Sequence, residues 1–276
     1  MPVMLTFAAL FTIFAVFDSQ ASTPGKYWWR NPGLPTDIAY FFVHTLIGSY
    51  FRLPVLVLVV FVLSRTMTTA EINDYFTNGR GLFADLPFWA QVVVYLLLTD
   101  FLLYWIHRGF HRNLMWKFHA IHHSSKQVDW TTAIRFHPIN LMLQSSFVMG
   151  LMLSLGIKPE VIALVAPFDA FLAVWQHSNT KWKLGPLKYV LATPVFHRWH
   201  HTLPEEGGDM NFAPTFAFWD LAFGTFYMPE GKLPQTFGVE DPELREGYIA
   251  QFLYPFRSLL PVSASPQAHK PEPPVR

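Results

Sequence analysis

Ten of the twelve histidines in this 276-residue chain lie between His107 and His201. Eight of the ten form three short clusters: His107/His111, His119/His122/His123 and His197/His200/His201. Spacings of three and four residues place side chains on one face of a helix, about one turn apart. Neutral imidazole binds iron, zinc, copper and nickel, and eight histidines exceed the four ligands that one zinc ion takes. The clusters therefore predict a helical site for two metal ions.

Composition indicates a membrane protein. The chain is 51% hydrophobic and 17% aromatic but only 14% charged, whereas an ordinary soluble domain is about a quarter charged. The formal net charge of +1 gives no electrostatic reason to expect a nucleic-acid partner. Because the sequence contains no cysteine, disulfides, thiolate metal sites and cysteine-ligated iron–sulfur clusters are excluded within it.

Apolar runs predict about four to five membrane segments. They cover residues 3–17, 38–64, 86–106, 139–155 and 160–176. The first is short for a crossing of about 20 residues, and a signal peptide is the alternative. No lysine or arginine precedes it, however, which favours a membrane segment. Arg52 and Pro54 interrupt the second run, so we expect the crossing to start near Leu53 or to use a tilted, broken helix.

The last two runs are separated by Gly156-Ile-Lys-Pro159 and predict a helical hairpin over residues 139–176. A hairpin returns the chain to the side that it left, so His137 and His177 should lie near the three clusters. Basic residues are concentrated in 107–138 and 177–200. By the positive-inside tendency, the histidine-rich face is cytoplasmic.

These features predict an all-α integral membrane bundle with a cytoplasmic, histidine-rich helical cap. Residues 1–85 would hold the N-terminal membrane segments and a polar connection at 65–85. Residues 86–228 would form the histidine-rich domain. In it, one long helix or two stacked helices would present the first two clusters, and the aromatic stretch 212–228 would cap the bundle. Residues 229–276 would add a C-terminal cap and, from Ser263, a disordered tail.

Other residues are candidates for supporting roles. His137 and His177 are each either metal ligands or partners that hydrogen-bond to ligands. Trp130, Trp175 and Trp199 are interpreted as interface anchors or core residues in preference to the wall of a substrate tunnel. The residues predicted to orient ligand imidazoles are Asp100, Asn179, Asn211 and Asp220.

The clusters resemble the histidine boxes of the membrane fatty acid hydroxylase/sterol desaturase superfamily. The resemblance covers roughly residues 90–228. Its histidine motifs are His107-Arg-Gly-Phe-His111, Phe118-His-Ala-Ile-His-His-Ser124, Arg135-Phe-His-Pro138, Gln176-His-Ser-Asn179 and Thr193-Pro-Val-Phe-His-Arg-Trp-His-His201. Asp209-Met-Asn-Phe212 and Trp219-Asp-Leu-Ala-Phe-Gly-Thr225 also match. The chain departs from the family at Asn211-Phe212-Ala213, where Asn-Tyr-Gly is usual.

The resemblance implies a non-heme di-iron oxygenase that hydroxylates or desaturates a lipid, such as a fatty acyl chain or a sterol, using O₂. Its electrons would come from an external donor such as a ferredoxin or a cytochrome b5-type protein. Two iron ions would be the cofactors, and zinc can replace them in a preparation. The implied ligands are His107, His111, His119, His122, His123, His177, His197, His200 and His201, and His137 is the tenth candidate. Residues 86–228 would then be the catalytic domain.

Two other functions are compatible with histidine clusters. One is a non-catalytic metal-binding or metal-transport membrane protein, although transporters usually place their ligands near mid-bilayer. The other is a metal-dependent lipid hydrolase, which would need a carboxylate base beside the metal. Glu205 and Glu206 are the acids closest in sequence to a cluster. We therefore rank oxidation first, with the substrate and the choice between hydroxylation and desaturation left open.

Overall fold

The computed structural model describes residues 2–17, 20–79 and 81–259. In this part of the chain the regular structure is helical, and the one β interaction is an isolated antiparallel bridge between Thr202 and Phe237. The α-helices are α1 (Pro2–Val16), α2 (Leu34–Leu63), α3 (Thr69–Asn78), α4 (Phe88–Phe110), α5 (Asn113–His123), α6 (Pro138–Ser154), α7 (Pro159–His177), α8 (Pro194–His200), α9 (Phe218–Ala222) and α10 (Tyr248–Leu253). The all-α prediction is confirmed. The predicted tail from Ser263 lies outside the described residues.

Both helices predicted for the hairpin, α6 and α7, form close to the predicted positions. Each begins with a proline, Pro138 and Pro159. At the first position of a helix the backbone N–H has no partner within the helix, so proline loses no hydrogen bond there. Both helices pack against α4. The turn between them lies against Gly81, where an added Cβ would be 2.7 Å from the carbonyl oxygen of Ser154. This close approach, at a φ of +145°, requires glycine.

The histidine-bearing helices α4 and α5 are two helices, which matches the second of the two predicted arrangements. α4 extends beyond the predicted membrane segment to Phe110 and so includes His107. Asn113 then adopts a positive φ of 48°, which asparagine tolerates better than most residues. The chain turns at this point, and α5 carries the second cluster back toward the first.

Two N-terminal elements differ from the prediction. α2 is one helix of 30 residues and continues through Leu53, where the sequence suggests a break. Residues 65–85, interpreted as a polar connection, contain α3. This helix begins with a capping box in which Thr68 and Glu71 satisfy each other's backbone N–H groups. Such a box is a sequence signal for a helix start, so α3 was predictable from these residues.

The two ends of the described chain pack against the histidine region. Phe11 of α1 stacks on Trp130 with ring centroids 5.9 Å apart. Near the other end, Tyr254 packs against Ala120 and Ile121 of α5. The stretch 212–228 contains only the short helix α9, and its role as a cap stays a prediction.

A buried ion pair joins three parts of the fold. Arg135, in the segment before α6, donates to Asp37 of α2 over 2.7 Å, and both side chains are almost completely buried. The Arg135 guanidinium also donates to the carbonyl oxygen of Gly33 and to Glu246, and Thr131 donates to Asp37. The backbone carbonyl of Arg135 faces the histidine clusters and contacts His122. The ion pair therefore fixes the position of a carbonyl group that orients one of the histidine rings.

The described helices include two that are long and apolar enough to cross a membrane, α4 and α7, and α6 is a shorter apolar helix. Their outer faces carry large apolar side chains in contact with solvent, such as Trp89 and Phe147. Extended apolar surface of this kind is unusual on a soluble monomer. The helices thus indicate membrane association, and the number of four to five segments stays a prediction.

We predict that Asp37→Asn lowers the free energy of unfolding by about 3–5 kcal/mol, because the buried guanidinium of Arg135 loses its counter-charge. Thermal unfolding of the detergent-solubilised protein measures the change. Glu246→Gln is the control: this residue also pairs with Arg135, but 49% of its side chain is exposed, so we expect a loss within about 1 kcal/mol. Equal losses in the two variants would contradict the importance of the buried pair.

Candidate metal centre

Nine of the ten predicted ligands converge in two groups, and within each group the inner ring nitrogens all lie within 4.8 Å of one another. Group one contains His107, His111, His119, His123 and His200, and group two contains His122, His177, His197 and His201. The groups are adjacent, with the rings of His123 and His201 stacked at a centroid distance of 4.4 Å. Neither group includes a carboxylate.

The ends of two membrane-type helices supply the first and last of these rings. His107 lies in the last turn of α4, and His111 caps that helix. His177 is the last residue of α7. The site therefore lies where these helices end, and it is not at their middle.

Helices α5 and α8 each supply both groups. α5 supplies two histidines to group one and one to group two. α8 supplies one to each group, and His201, which caps the end of α8, adds a second to group two. The pairs four residues apart, His119/His123 and His197/His201, share a helical face and therefore a group. α8 is short, and its N-terminus is held by the Thr193 side chain, which accepts from a backbone N–H of the first turn.

The contacts inside group two fit a metal ion better than they fit hydrogen bonds. The Nε2 atom of His177 lies 3.2 Å from that of His122, 3.0 Å from that of His197 and 3.1 Å from that of His201. One ring nitrogen carries either one proton or one lone pair, so the three contacts cannot all be hydrogen bonds. Nitrogens bound to one ion at about 2.1 Å would themselves be roughly 3 Å apart.

Group one shows the same feature. The Nε2 atom of His119 lies 3.0 Å from that of His107 and 3.3 Å from that of His123. The Nε2 atoms of His111 and His200 are buried and have no hydrogen-bond partner among the described residues. Buried nitrogens without a partner are costly unless another ligand uses them. The donor set therefore fits a second ion.

Backbone carbonyls fix the orientation of four rings. These contacts are His107 Nδ1 to Phe212 O (2.7 Å), His122 Nδ1 to Arg135 O (3.3 Å), His177 Nδ1 to Ala173 O (2.6 Å) and His200 Nδ1 to Met210 O (2.7 Å). A carbonyl oxygen only accepts, so each Nδ1 carries the proton and donates it. The lone pair is thereby left on Nε2, which faces the group.

Two further rings contact Asn140, which sequence analysis did not name, and Asp209, which it named only as part of a family motif. Asn140 Oδ1 lies 3.0 Å from His119 Nδ1, and Asp209 Oδ1 lies 3.4 Å from His111 Nδ1. Such outer partners orient ligands and raise their basicity. Asn140 is the first polar residue of the otherwise apolar start of α6, and this was a usable signal.

Burial keeps the imidazoles neutral. It lowers the pKa of seven rings well below the usual value of about 6.5, and neighbouring imidazoles lower it further because adjacent positive charges repel. These rings are His111, His119, His122, His123, His197, His200 and His201. Neutral imidazole is the form that binds a metal, so both groups present lone pairs at neutral pH.

The two acids predicted to orient imidazoles anchor the 212–216 segment instead. Asp100 accepts hydrogen bonds from the backbone N–H groups of Thr215 and Phe216. Asp220 accepts hydrogen bonds from the backbone N–H groups of Phe212 and Ala213 over 2.7 and 2.8 Å. The carbonyl of Phe212 in turn accepts a hydrogen bond from His107. Asp220 therefore helps to orient the His107 ring indirectly, by fixing the backbone of Phe212.

The two asparagines predicted for the same role also bind elsewhere. Asn179 bonds to the backbone and hydroxyl of Thr23. Asn211 donates to the carbonyl oxygens of Phe196 and Tyr227 and accepts from the latter's N–H. Both side chains therefore tie loops together and do not contact a ligand ring.

His137 lies outside both groups. Its Nδ1 accepts from the backbone N–H of Ile139 over 3.1 Å, which caps α6, and its Nε2 lies 3.1 Å from the carbonyl oxygen of Phe252. Both ring nitrogens are thus in use. Neither presents a lone pair to either histidine group.

A cavity of about 440 Å³ extends from the histidines along the space between α4, α6 and α7. Five ligand candidates from both groups line its inner end: His107, His119, His122, His177 and His197. Apolar residues, including Leu103, Val148 and Ile162, form much of the remaining wall. None of Trp130, Trp175 and Trp199 lines it, and the first two pack in one apolar cluster, which supports their interpretation as core residues.

Residues 92–225 match the fatty acid hydroxylase family. Both histidine groups fall within this range. This part of the chain belongs to that family. The resemblance inferred from the histidine motifs is thereby confirmed.

Three relatives illustrate what the chain is similar to. An ornithine lipid hydroxylase of Rhizobium tropici is 32% identical over 62% of this chain and 51% of its own length. An alkylglycerol monooxygenase of Xenopus tropicalis is 36% identical over 78% of this chain and 46% of its own. A lathosterol oxidase of Mus musculus is 31% identical over 53% and 49%. The chain thus spans about half the length of these curated relatives. No solved structure matches it.

We predict that Asn140→Leu weakens metal binding by about 10- to 100-fold, because His119 loses the acceptor that fixes its tautomer. Competition with a chelator, followed by elemental analysis of the purified protein, measures the affinity. Asn140→Asp is the matched control, because a carboxylate oxygen still accepts from Nδ1. Equal weakening in both variants would contradict this role.

His137→Asn should leave the metal content unchanged, because asparagine can also cap a helix N-terminus and no ligand is removed. His122→Asn should lower the metal content, because it removes a nitrogen from group two. Elemental analysis reports the metal-to-protein ratio, and thermal unfolding checks that both variants fold. Equal metal loss in the two variants would make His137 a ligand after all.

Proposed function

We propose that this chain is a membrane-bound non-heme di-iron oxygenase that hydroxylates or desaturates a lipid. It would use O₂ and electrons from an external donor such as a ferredoxin or a cytochrome b5-type protein. The observation that carries the proposal is that two groups of neutral imidazoles face one end of an apolar cavity between membrane-type helices.

Each of the two histidine groups would hold one metal ion. Iron bound there would supply O₂ activation and the oxidation of an unactivated C–H bond. Because the donors are neutral and no carboxylate joins either group, the shell does not cancel the positive charge of the ions. Zinc accepts the same nitrogen donors, so the proposal does not depend on which metal a given preparation contains.

The chain's own residues would bind and position the lipid. The apolar cavity walls on α4, α6 and α7 would hold a hydrocarbon chain and exclude water from the inner end. The histidines at that end would then face one stretch of the chain. Since buried apolar contact is not directional, this part of the wall sets depth and width and leaves the position along the chain to polar contacts.

The same helices support the proposed placement in the membrane. Trp89 and Trp105 lie near opposite ends of α4 and are exposed, about 24 Å apart along the helix, as expected for anchors at two membrane interfaces. The histidine groups lie at the C-terminal end of α4. Together with the basic residues around them, this supports a site at the cytoplasmic face.

The relatives support oxidation of a lipid. Their names describe a hydroxylase of ornithine lipids, a monooxygenase of alkylglycerols and an oxidase of lathosterol. The three substrates differ in structure but are all lipids, which agrees with an apolar cavity and leaves the individual substrate of this chain open.

The alternative functions have less support. A transporter would be expected to place its ligands near mid-membrane, whereas both groups lie at helix ends. A hydrolase would need a carboxylate base beside the metals. Among the cavity-lining residues the nearest acid along α7 is Asp169, eight residues before His177, which is about 12 Å of helix. Asp209 does not line this cavity, and its carboxylate is paired with His111 and Arg112.

We predict that the iron-loaded protein consumes O₂ with reductant and lipid, and that membrane lipids of expressing cells shift by about +16 or −2 mass units, the change expected from one added oxygen atom or the loss of two hydrogen atoms. Val148→Trp, which fills the cavity away from the histidines, should abolish this shift and leave the iron content unchanged. Oxygen uptake, lipid mass spectrometry and elemental analysis report the three quantities.

Phe147→Trp is the matched control for this variant. Phe147 is the neighbouring residue on α6, 62% exposed and not part of the cavity wall, so its replacement should preserve both iron and lipid oxidation. A wild-type protein that binds iron but oxidises no lipid would contradict the proposed activity. Lipid oxidation retained in Val148→Trp would contradict the proposal that the cavity binds the lipid.

A further inference from the structure

One wall of the cavity carries a carboxyl group that the proposed chemistry does not use. Asp169 lies on α7 and lines the cavity together with His177, eight residues later. At 1.5 Å per residue, the two positions are about 12 Å apart along the helix. The carboxyl group is therefore well removed from the histidine end and within a helix that is apolar enough to cross a membrane.

Asp169 differs from the other acids in the fold interior. Asp37 accepts hydrogen bonds from Arg135 and Thr131. Asp100 and Asp220 each accept at least two from backbone N–H groups. Asp169 is partly buried, and it accepts no hydrogen bond from the residues that the structure describes.

Several other polar groups of the wall have partners within the fold. Ser145 and Gln176 donate to backbone carbonyls of the fold, so their donors are in use. Tyr95 and Thr99 also line the cavity, and their hydroxyl groups interact with each other. Asp169 thus faces the same space without such a partner among the described residues.

A polar group in apolar surroundings is costly unless something binds it. We propose that Asp169 is a specificity-determining residue that accepts a hydrogen bond from a hydroxyl or amide N–H group of the bound lipid. This inference rests on the proposed function in one respect, namely that a lipid occupies the cavity. It adds the substrate class: a lipid with a hydrogen-bond donor about 12 Å from the carbon that meets the histidines.

The charge of the wall argues against an acidic group at this level. No lysine or arginine lines this cavity or the smaller one that shares Asp169 with it. A substrate carboxylate or phosphate beside Asp169 would be repelled and would lack a counter-charge. A neutral donor avoids both penalties. One such bond would also fix the chain along the cavity, which apolar walls cannot do.

Binding of three lipid probes of equal length tests the inference. The probes are a fatty acid methyl ester with a mid-chain hydroxyl, the same ester with that hydroxyl methylated, and an N-alkyl amide. Displacement of a fluorescent fatty acyl ester from zinc-loaded full-length protein in detergent measures their affinities. Because zinc supports no oxidation, the result does not depend on catalysis.

The wild type should bind the hydroxyl probe or the amide about tenfold or more tightly than the methylated ester, since hydrogen bonds to charged groups are among the stronger ones. The comparison of the first and third probes distinguishes a hydroxyl from an amide donor. Asp169→Leu should abolish the preference and leave binding of the methylated ester unchanged. Asp169→Asn keeps an acceptor oxygen and should retain part of the preference.

Glu160→Gln is the matched control, because it makes the same acid-to-amide change near the start of α7, at an exposed position outside the cavity. It should behave like the wild type. Equal loss of all probes in Asp169→Leu, or no preference in the wild type, would overturn the inference. Either result leaves lipid oxidation by the iron-loaded protein to be judged separately, so the two failures are distinguishable.

Discussion

The hydrogen bonds from outer ring nitrogens to backbone carbonyls are the constraint on which the metal centre depends. They decide which nitrogen keeps its lone pair, and so they decide that the Nε2 atoms face one another. The acceptors come from separate parts of the chain: Arg135 precedes α6, Ala173 lies in α7, and Met210 and Phe212 lie in the segment before α9. These rings are therefore oriented only when the helices and that segment are assembled together.

The acids of the fold interior serve this assembly and not the metals. Asp100 and Asp220 hold the 212–216 segment through its N–H groups, and Asp37 holds Arg135. Two of the carbonyls that orient histidine rings belong to the backbone held in this way: that of Phe212 binds His107, and that of Arg135 binds His122. With the carboxylates used in this way, the groups that face the metal positions are all neutral imidazoles. Charge is thus kept out of the ligand shell and placed in the scaffold.

The sequence predicted the parts of this fold that depend on local pattern. Apolar length and proline positions located α4, α6 and α7, and three- and four-residue spacings located eight of the nine converging histidines. The predicted hairpin placed the ninth, His177, near them. Spacing could not assign each ring to a group, because that depends on how α5 and α8 face each other. It also could not exclude His137, whose nitrogens are taken by Ile139 and Phe252, since the second contact is made 115 residues away. Asp169 satisfies the same rule that singled out Asp100, namely an acid within an apolar helix, so its omission was avoidable.

The shared helices also mean that the two histidine groups are not independent. α5 and α8 each supply both groups, so a small rotation of either helix moves ligands of both. His119 and His122 are three residues apart in α5 and belong to different groups, and their ring centroids are 5.4 Å apart. Neighbours that share a rigid element show coupled energies, so loss of a ligand from one group should loosen the other. Because the cavity meets histidines of both groups, a lipid in it would contact the pair as one unit.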